Sequence, residues 1–268
     1  MSKTDSNSGP LHTLNPLGRF SDRATDYVKY RPSYPEAAID VIVAGLSEAS
    51  VVADIGAGTG ISSRLLADRG LRVLAIEPNA AMRTAATSYP LVDFRDGKAE
   101  DTQLVTASVN LVTCFQAFHW FNPEPTLQEF KHILKPPFAT ENAGQLALVW
   151  NNRDQSDAFT YEYSRLTLAV ATTRVIHERT ESAQPLLASG DFTNVREYRF
   201  VNRQALDLAG LIGRVRSNSY TPHEGVALHQ LILDLEKLYD RFQDEQGLVY
   251  LCYSTSVHLA EVVKLTTR

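Results

Sequence analysis

The chain has 268 residues, with 26 Lys and Arg against 31 Asp and Glu, a net charge of −5 and 44% hydrophobic residues. This composition predicts a folded globular protein, and the lack of a basic block argues against an extensive nucleic-acid interface. No apolar run approaches the ~18 residues of a membrane span, and the histidines show no metal-binding spacing. We therefore expect a cytoplasmic protein that binds no membrane, no nucleic acid and no metal.

The N-terminal region divides into a polar segment and a short helix. Residues 1–16 are rich in Ser, Asn, Gly and Pro, which predicts disorder. A helix is predicted to follow and to end before Pro32, and it carries Tyr27, Tyr30 and Arg31 within five residues. These side chains either pack an amphipathic helix against the domain or contact a ligand. The planar guanidinium of Arg31 suits a carboxylate.

A glycine-rich turn after the first strand is the most informative stretch of the sequence. Residues 51–55 predict a buried strand, and a helical pattern begins at Ile61. Glycines in such a turn let the backbone approach a ligand at the positive end of the helix dipole. Dinucleotide sites place their third glycine where Ile61 stands, and the carboxylate of Asp54 would be misplaced beside a pyrophosphate. An acid at this position can instead hold an ammonium group, directly or through water. The three glycines are Gly56, Gly58 and Gly60.

Acidic residues follow the next two predicted strands. The strand at 71–76 ends at Glu77, about 20 residues beyond the first glycine, which suits the two ribose hydroxyls of an adenosine. NAD sites share this feature, so Glu77 alone does not separate the two ligand classes. A third short strand at 91–94 is followed by an acidic turn at 96–101, which by itself indicates a solvated surface turn.

The loop after the fourth strand, at 109–115, has an unusual composition. It runs from Gln116 through Phe118, His119, Trp120 and Phe121. Ligands of open α/β sheets lie just outside the carboxyl ends of the strands, so we expect this loop to face the reacting groups. His119 either accepts a proton there or packs under the next helix, and the position brings the two interpretations to near parity.

The C-terminal part of the chain is predicted to complete the sheet and to cover it. A fifth strand at 145–150 delivers residues 151–153 to the same binding edge. Two further strands, the last one antiparallel, are predicted around 195–206 and 248–257. Helical segments at about 155–190 and 207–245 are expected to form a cap over the substrate. Arg214 and Arg216 belong to this cap, where each faces either an anionic substrate or solvent.

The ordered set of motifs resembles the class I S-adenosylmethionine-dependent methyltransferases, in a branch similar to trans-aconitate methyltransferase. The motifs are F-x-x-x-A-x-x-Y-x-x-x-R-P-x-Y-P from Phe20, the acid with G-x-G-x-G from Asp54, the strand-two Glu77, G-x-A-E from Gly97, and A-F-H-W-F from Ala117. The resemblance implies an α/β fold with a Rossmann-like, seven-stranded, mostly parallel sheet and helices on both faces. It also implies one domain over 17–268, with an N-terminal lid at about 19–35.

The resemblance assigns most of the candidate site residues. The backbone of Ala99 and an acceptor on Glu100 would border the adenine, and Tyr27 with Arg31 would hold the methionine carboxylate. The residues expected to bind the cofactor are Tyr27, Arg31, Asp54, Gly56, Ala57, Gly58, Gly60, Glu77, Pro78, Ala99, Glu100 and Gln116. Those expected to bind the acceptor are Tyr30, His119, Trp120, Asn151, Arg214 and Tyr220, with His119 as the candidate catalytic residue.

The function implied is methyl transfer from S-adenosylmethionine to a small carboxylate, hydroxyl or amine, by a monomer or homodimer, with S-adenosylhomocysteine as product. Because the cofactor is intrinsically activated, the protein mainly supplies alignment and desolvation. Two alternatives remain open. One is an NAD(P)-dependent oxidoreductase on a doubly wound sheet, and the other is a protein that binds S-adenosylmethionine without catalysis.

Overall fold

The computed structural model describes residues 11–13, 24–137, 143–171, 183–218, 220–222 and 224–263. The segment at 1–16 that the sequence predicts to be disordered lies outside these residues, except for a 3-10 turn at Leu11–Thr13. Part of the first predicted cap segment, 172–182, also lies outside them. No described helix is long and apolar enough to cross a membrane. The described residues contain no cluster of His, Cys, Asp and Glu that could hold a metal ion.

The centre of the fold is a seven-stranded sheet with the order β3-β2-β1-β4-β5-β7-β6. Strands β1 to β5 pair in parallel, whereas β7 is antiparallel to both of its neighbours, β5 and β6. The predicted Rossmann-like sheet with an antiparallel last strand is therefore confirmed. The strands are β1 (Val51–Ile55), β2 (Arg72–Ile76), β3 (Val92–Arg95), β4 (Leu111–Phe115), β5 (Gln145–Arg153), β6 (Phe192–Leu206) and β7 (Val249–Val262).

Helices cover both faces of the sheet. The central strands β1 and β4 are mostly apolar, with Asp54 and Thr113 as their polar residues, because both faces of the sheet are covered there. The described helices are α1 (Ala24–Tyr30), α2 (Glu36–Val43), α3 (Ile61–Ala67), α4 (Ala80–Ala85), α5 (Pro123–Ile133), α6 (Ala158–Ala169), α7 (Gln184–Ala188), α8 (Leu208–Arg216) and α9 (Val226–Phe242).

Three apolar clusters divide the interior. One lies on the α5 side of the sheet and includes Phe130 and Leu186, and a second lies on the side of α2 and α3. The third joins α6, α8 and α9 to the N-terminal half of β7, because α9 presents leucines at helical spacing from Leu228 to Leu238. Three helices of the predicted cap, α6, α8 and α9, therefore share an apolar cluster of their own. The fourth, α7, packs in the core of the main sheet instead.

Candidate active site

The glycine turn between β1 and α3 requires residues without a Cβ atom at two of its positions. Gly56 and Gly60 have φ of 70° and 78°, which side chains rarely adopt. A Cβ atom on Gly56 would lie 2.6 Å from the Cβ of Ala117, and one on Gly60 would lie 2.6 Å from Cζ of Phe94. The turn is therefore packed between β3 and the loop after β4, and its glycine spacing reflects these contacts.

Glu77, at the end of β2, is hydrogen-bonded to the glycine turn. One carboxylate oxygen accepts a hydrogen bond from the amide of Gly58 at 2.9 Å, and the other accepts one from the amide of Asn79 at 2.8 Å. Burial raises the pKa of Glu77, although these two backbone donors and Arg83 oppose that effect. Because each oxygen retains a lone pair, Glu77 can still accept hydrogen bonds from a ligand.

Asp54 is buried behind the glycine turn, and this corrects the prediction that it can contact a ligand directly. Its side chain is 0% exposed. It accepts hydrogen bonds from the hydroxyls of Ser62 at 2.7 Å, Ser63 at 2.6 Å and Thr113 at 2.9 Å. Burial raises the pKa of Asp54, and the three hydroxyl donors lower it. Asp54 therefore joins β1, α3 and β4, and shapes the turn from behind.

A first cavity, of about 330 Å³, lies outside the carboxyl ends of β1, β2 and β4. Trp120, predicted to contact the acceptor, lines this cavity with its neighbour Phe121. Glu100 also lines it and accepts a hydrogen bond from the amide of Asn122 at 2.9 Å, which ties the acidic turn to the loop after β4. The predicted cofactor residues on its wall are Tyr27, Gly56, Gly58, Glu77, Pro78, Ala99, Glu100 and Gln116.

Four predicted cofactor residues do not line the first cavity. Ala57, Gly60 and Asp54 belong to the glycine turn and the strand before it, while Arg31 lies on a second cavity. The sequence analysis also missed several lining residues. Two of them, Ala117 and Phe121, lie in the loop that was expected to face the reacting groups but were given no contact, and nothing in the local sequence marks the others as ligand contacts. The missed residues are His12, Asn79, Met82, Lys98, Phe115, Ala117 and Phe121.

The second cavity, of about 300 Å³, lies between the N-terminal segment, the end of β5 and the cap helices α6 and α8. Three guanidinium groups line it, those of Arg31, Arg153 and Arg214. Among the described residues on its wall there is no Asp, Glu or His. The other lining residues are Tyr27, Pro32, Tyr34, Ile61, Gln116, Asn151, Asn152, Gln155, Ser164, Leu168, Asn218, Tyr220 and Tyr253.

Arg153 is held by polar and aromatic groups of the cap. Its Nη2 donates to the hydroxyl of Tyr220 at 2.8 Å, and its Nη1 donates to Thr167 at 3.2 Å. The guanidinium lies over the ring of Tyr163, 4.6 Å from the centroid. Burial opposes the charge, but the field of Tyr220 and Tyr163 raises the pKa of Arg153 overall. These contacts fix the plane of a permanently charged group at the cavity wall.

Arg31 and Arg214 both donate hydrogen bonds to Ser217. Arg31 donates from Nη2 to the Ser217 carbonyl at 2.8 Å, and Arg214 donates from Nη1 to Asn218 Oδ1 at 2.5 Å and to Ser217 Oγ at 3.3 Å. Arg214 is only 4% exposed. Burial and the neighbouring Arg214 lower the pKa of Arg31. The Nε atoms of both arginines are buried without a hydrogen-bond partner among the described residues.

The other predicted acceptor residues have mixed outcomes. Asn151 and Tyr220 line the second cavity, and Asn151 also donates to the Ser33 carbonyl at 3.1 Å. Tyr30 instead packs on α8, where a Cβ atom on Gly213 would lie 2.2 Å from its ring. Tyr30 lines neither cavity and attaches the N-terminal helix to α8, and its contact with the acceptor stays a prediction.

His119 does not line either cavity, and its role as the catalytic residue stays a prediction. The 3-10 turn at Phe118–Trp120 directs its ring toward β5, where the indole Nε1 of Trp150 donates to Nδ1 of His119 at 3.3 Å. An indole N–H can only donate, so Nδ1 is the acceptor and this nitrogen is occupied. The described contacts of His119 are with the tryptophans of the apolar core.

The fold defines a Rossmann-like methyltransferase architecture. A type II methyltransferase structure from Anaeromyxobacter dehalogenans matches 88% of this chain and 99% of its own, with a TM-score of 0.61 and 20% identity. The cyclase SpnF also matches, over 96% of this chain and 98% of its own, with a TM-score of 0.55 and 12% identity. At such identities the likeness shows the fold alone, so activity has to be inferred from the site.

The sequence comparisons show the family. The methyltransferase domain family matches residues 53–137. An uncharacterized methyltransferase of Mycobacterium tuberculosis strain H37Rv is 31% identical over 202 residues, covering 75% of this chain and 76% of the relative. A methyltransferase-like protein of Schizosaccharomyces pombe is 34% identical over 154 residues, but the match spans only 58% of that relative's length. The chain belongs to the methyltransferase family, and the predicted resemblance is confirmed.

Proposed function

We propose that the protein transfers a methyl group from S-adenosylmethionine to a carboxylate of a small molecule. The observation that carries this proposal is the charge difference between two adjoining cavities. The first has an acidic residue at the end of β2 and aromatic side chains, as an adenosine requires. The second has three guanidinium groups and no acid among its described lining residues.

The residues of the first cavity fit the cofactor. A Cβ atom on Gly58 would lie 3.4 Å from Met82 and 3.9 Å from Tyr27, both of which line the cavity, so the bare backbone at Gly58 leaves room for a ligand. Glu77 would accept hydrogen bonds from the ribose hydroxyls, while its bonds to Gly58 and Asn79 hold it in place. Ala99 and Glu100 would border the adenine. When bound, S-adenosylmethionine supplies a methyl group on a cationic sulfur that needs no further activation.

Arg31 would hold the carboxylate of the cofactor's methionine end. Its guanidinium lies over the ring of Tyr27, 4.5 Å from the centroid, and Tyr27 lines both cavities. Arg153 and Arg214, which also line the second cavity, would bind the acceptor. In this arrangement Arg31 binds the carboxylate of the cofactor, and Arg153 and Arg214 bind that of the acceptor. A planar carboxylate is a group that the guanidinium fork matches well.

A carboxylate acceptor fits the second cavity better than an amine or a hydroxyl. The three positive charges on its wall would repel a protonated amine. A hydroxyl would need a general base as it reacts, and the described lining residues include no His, Asp or Glu. A carboxylate is already ionised at neutral pH and needs no base, which agrees with the position of His119 against Trp150.

Titration calorimetry tests the cofactor assignment. We expect S-adenosylmethionine and S-adenosylhomocysteine to bind with 1:1 stoichiometry, and NAD to give no heat of binding. Binding of NAD in preference to both would support the oxidoreductase alternative. Tight binding of S-adenosylmethionine without methyl transfer to any acceptor would support a non-catalytic binding protein. The oligomeric state stays a prediction, which sedimentation can test.

A further inference from the structure

Gln116 has a backbone conformation that is unusual for its residue type. It follows the last residue of β4 with φ of 54°, in the left-handed region that favours glycine and asparagine. Of the described residues that line either cavity, it is the one non-glycine residue with positive φ. Such conformations are destabilising and cluster at functional sites. The amide of Gln116 donates to the Val149 carbonyl at 2.8 Å, so the neighbouring strand holds the backbone in this conformation.

Gln116 lies at the boundary between the two cavities. Among the described residues, only Tyr27 and Gln116 line both cavities. The side chain of Gln116 is also fixed, because its Nε2 donates to the Asn151 carbonyl at 3.0 Å, at the end of β5. Gln116 therefore lies, with Tyr27, where the two cavities adjoin.

We propose that the methyl group is transferred past Gln116, whose side chain lies beside the line from the sulfonium of the donor to the anion of the acceptor. This inference rests on the proposed function. In the step, the bond between sulfur and the methyl carbon breaks and its electron pair stays on sulfur. A bond from the carboxylate oxygen to the methyl carbon forms, and no proton is moved. Because the amide of Gln116 is neutral, it can lie beside both the positive sulfur and the negative carboxylate without favouring either ligand.

A charge placed at position 116 reports on this geometry without knowledge of the acceptor. S-adenosylmethionine has a positive sulfur, whereas S-adenosylhomocysteine differs by the missing methyl group and has a neutral sulfur. A carboxylate beside the sulfur should therefore strengthen binding of the first ligand relative to the second. At a separation of a few ångströms in a partly polar site, the effect is on the order of tenfold in the affinity ratio.

The experiment measures both ligands by calorimetry in the wild type and in four variants. Gln116→Glu keeps the length of the side chain. Gln116→Asp introduces a residue type that adopts positive φ more readily, so it provides a second charged variant if Gln116→Glu does not fold. Gln116→Met removes the amide without adding charge. Asn152→Asp is the matched control, because Asn152 lines the second cavity and not the first.

We expect the affinity ratio of S-adenosylmethionine to S-adenosylhomocysteine to rise about tenfold in the charged variants at position 116. It should stay within about twofold of wild type in Gln116→Met and Asn152→Asp. A ratio that is unchanged in Gln116→Glu and Gln116→Asp, or that rises equally in Asn152→Asp, would overturn the inference. If the wild type binds neither ligand, the proposed function itself fails, and that result is distinct.

Discussion

The two cavities are built in different ways. Most of the wall of the first comes from four short segments, each at the end of a strand of the parallel sheet: the glycine turn, 77–82, 98–100 and 115–121. His12 and Tyr27 of the N-terminal region complete it. The wall of the second joins the N-terminal segment, the end of β5, two cap helices and Tyr253 of β7. Strand-end loops have fixed places in an α/β sheet, so the first can be recognised from sequence spacing, while the second depends on distant contacts.

The polar contacts differ in the same way. In the first cavity, Glu77 and Glu100 are fixed by backbone amides. In the second, Arg153 and Arg214 are fixed mainly by side chains of residues distant from the strand ends. Substitutions at the acidic residues of the first cavity should therefore weaken donor binding. Substitutions at the arginines of the second cavity should weaken acceptor binding.

The largest expected effect is on the acceptor side. Arg153→Gln should lower kcat/KM for an anionic acceptor by about 30-fold or more, as expected for the ~2–5 kcal/mol of a buried charge that binds an opposite charge. The affinity for S-adenosylhomocysteine should stay within about twofold. Arg216→Gln is the matched control, because Arg216 is an exposed residue of α8. Equal losses in the two variants would contradict the assignment of Arg153 to the acceptor.

The corresponding change on the donor side should be somewhat smaller. Glu77→Gln should weaken S-adenosylhomocysteine binding by about 10- to 100-fold, because a charged acceptor of hydrogen bonds is worth ~1.5–3 kcal/mol. Calorimetry measures this loss, and Asp96→Asn controls for a nearby acid, since Asp96 lines neither cavity. An unchanged affinity in Glu77→Gln would remove Glu77 from the donor site.

A third prediction concerns stability and its dependence on pH at Asp54. Burial raises the native pKa of Asp54 above its unfolded value near ~3.9. The stabilising contribution is then complete below the unfolded pKa and is lost as pH rises through the native pKa. Asn at this position does not titrate. The free energy of unfolding of wild type minus that of Asp54→Asn should therefore fall with rising pH, by on the order of 1 kcal/mol.

Urea denaturation at a series of pH values from 4 to 8 measures this difference. Glu77 also has a raised native pKa, but it is present in both proteins and its contribution cancels. A difference that grows with pH would show that the three hydroxyl donors outweigh burial, and that the native pKa of Asp54 is lowered.

The smallest expected effect on turnover is at His119. Because its Nδ1 accepts from Trp150, His119→Asn should cost about 1 kcal/mol of stability and change kcat by less than about threefold. The pH dependence of kcat should be unchanged. A loss of turnover of ~10²-fold or more, together with loss of a pH-dependent rise, would restore His119 as a general base.

These differences also explain what the sequence could reveal. The seven strands, the glycine turn and Glu77 follow from local patterns, and the structure has all of them. The pairing of Arg153 with Tyr220 could not be predicted, because 67 residues separate them. The only local signal for Arg153 was its place at the end of the fifth predicted strand. The direction of the His119 ring could not be predicted, because a strand-end position fixes where a loop begins, whereas the 3-10 turn decides which way each side chain points.

The most direct test of the central claim is transfer of a labelled methyl group from S-adenosylmethionine, screened over small carboxylic acids, phenols and amines. We expect label in the carboxylic acids, with di- and tricarboxylates preferred over monocarboxylates because several guanidinium groups line the second cavity. The product should be a methyl ester, which releases the label as methanol on mild alkaline hydrolysis. Label found only in amines or phenols, in a form stable to alkali, would contradict the assignment of the arginine-lined cavity to an anionic acceptor.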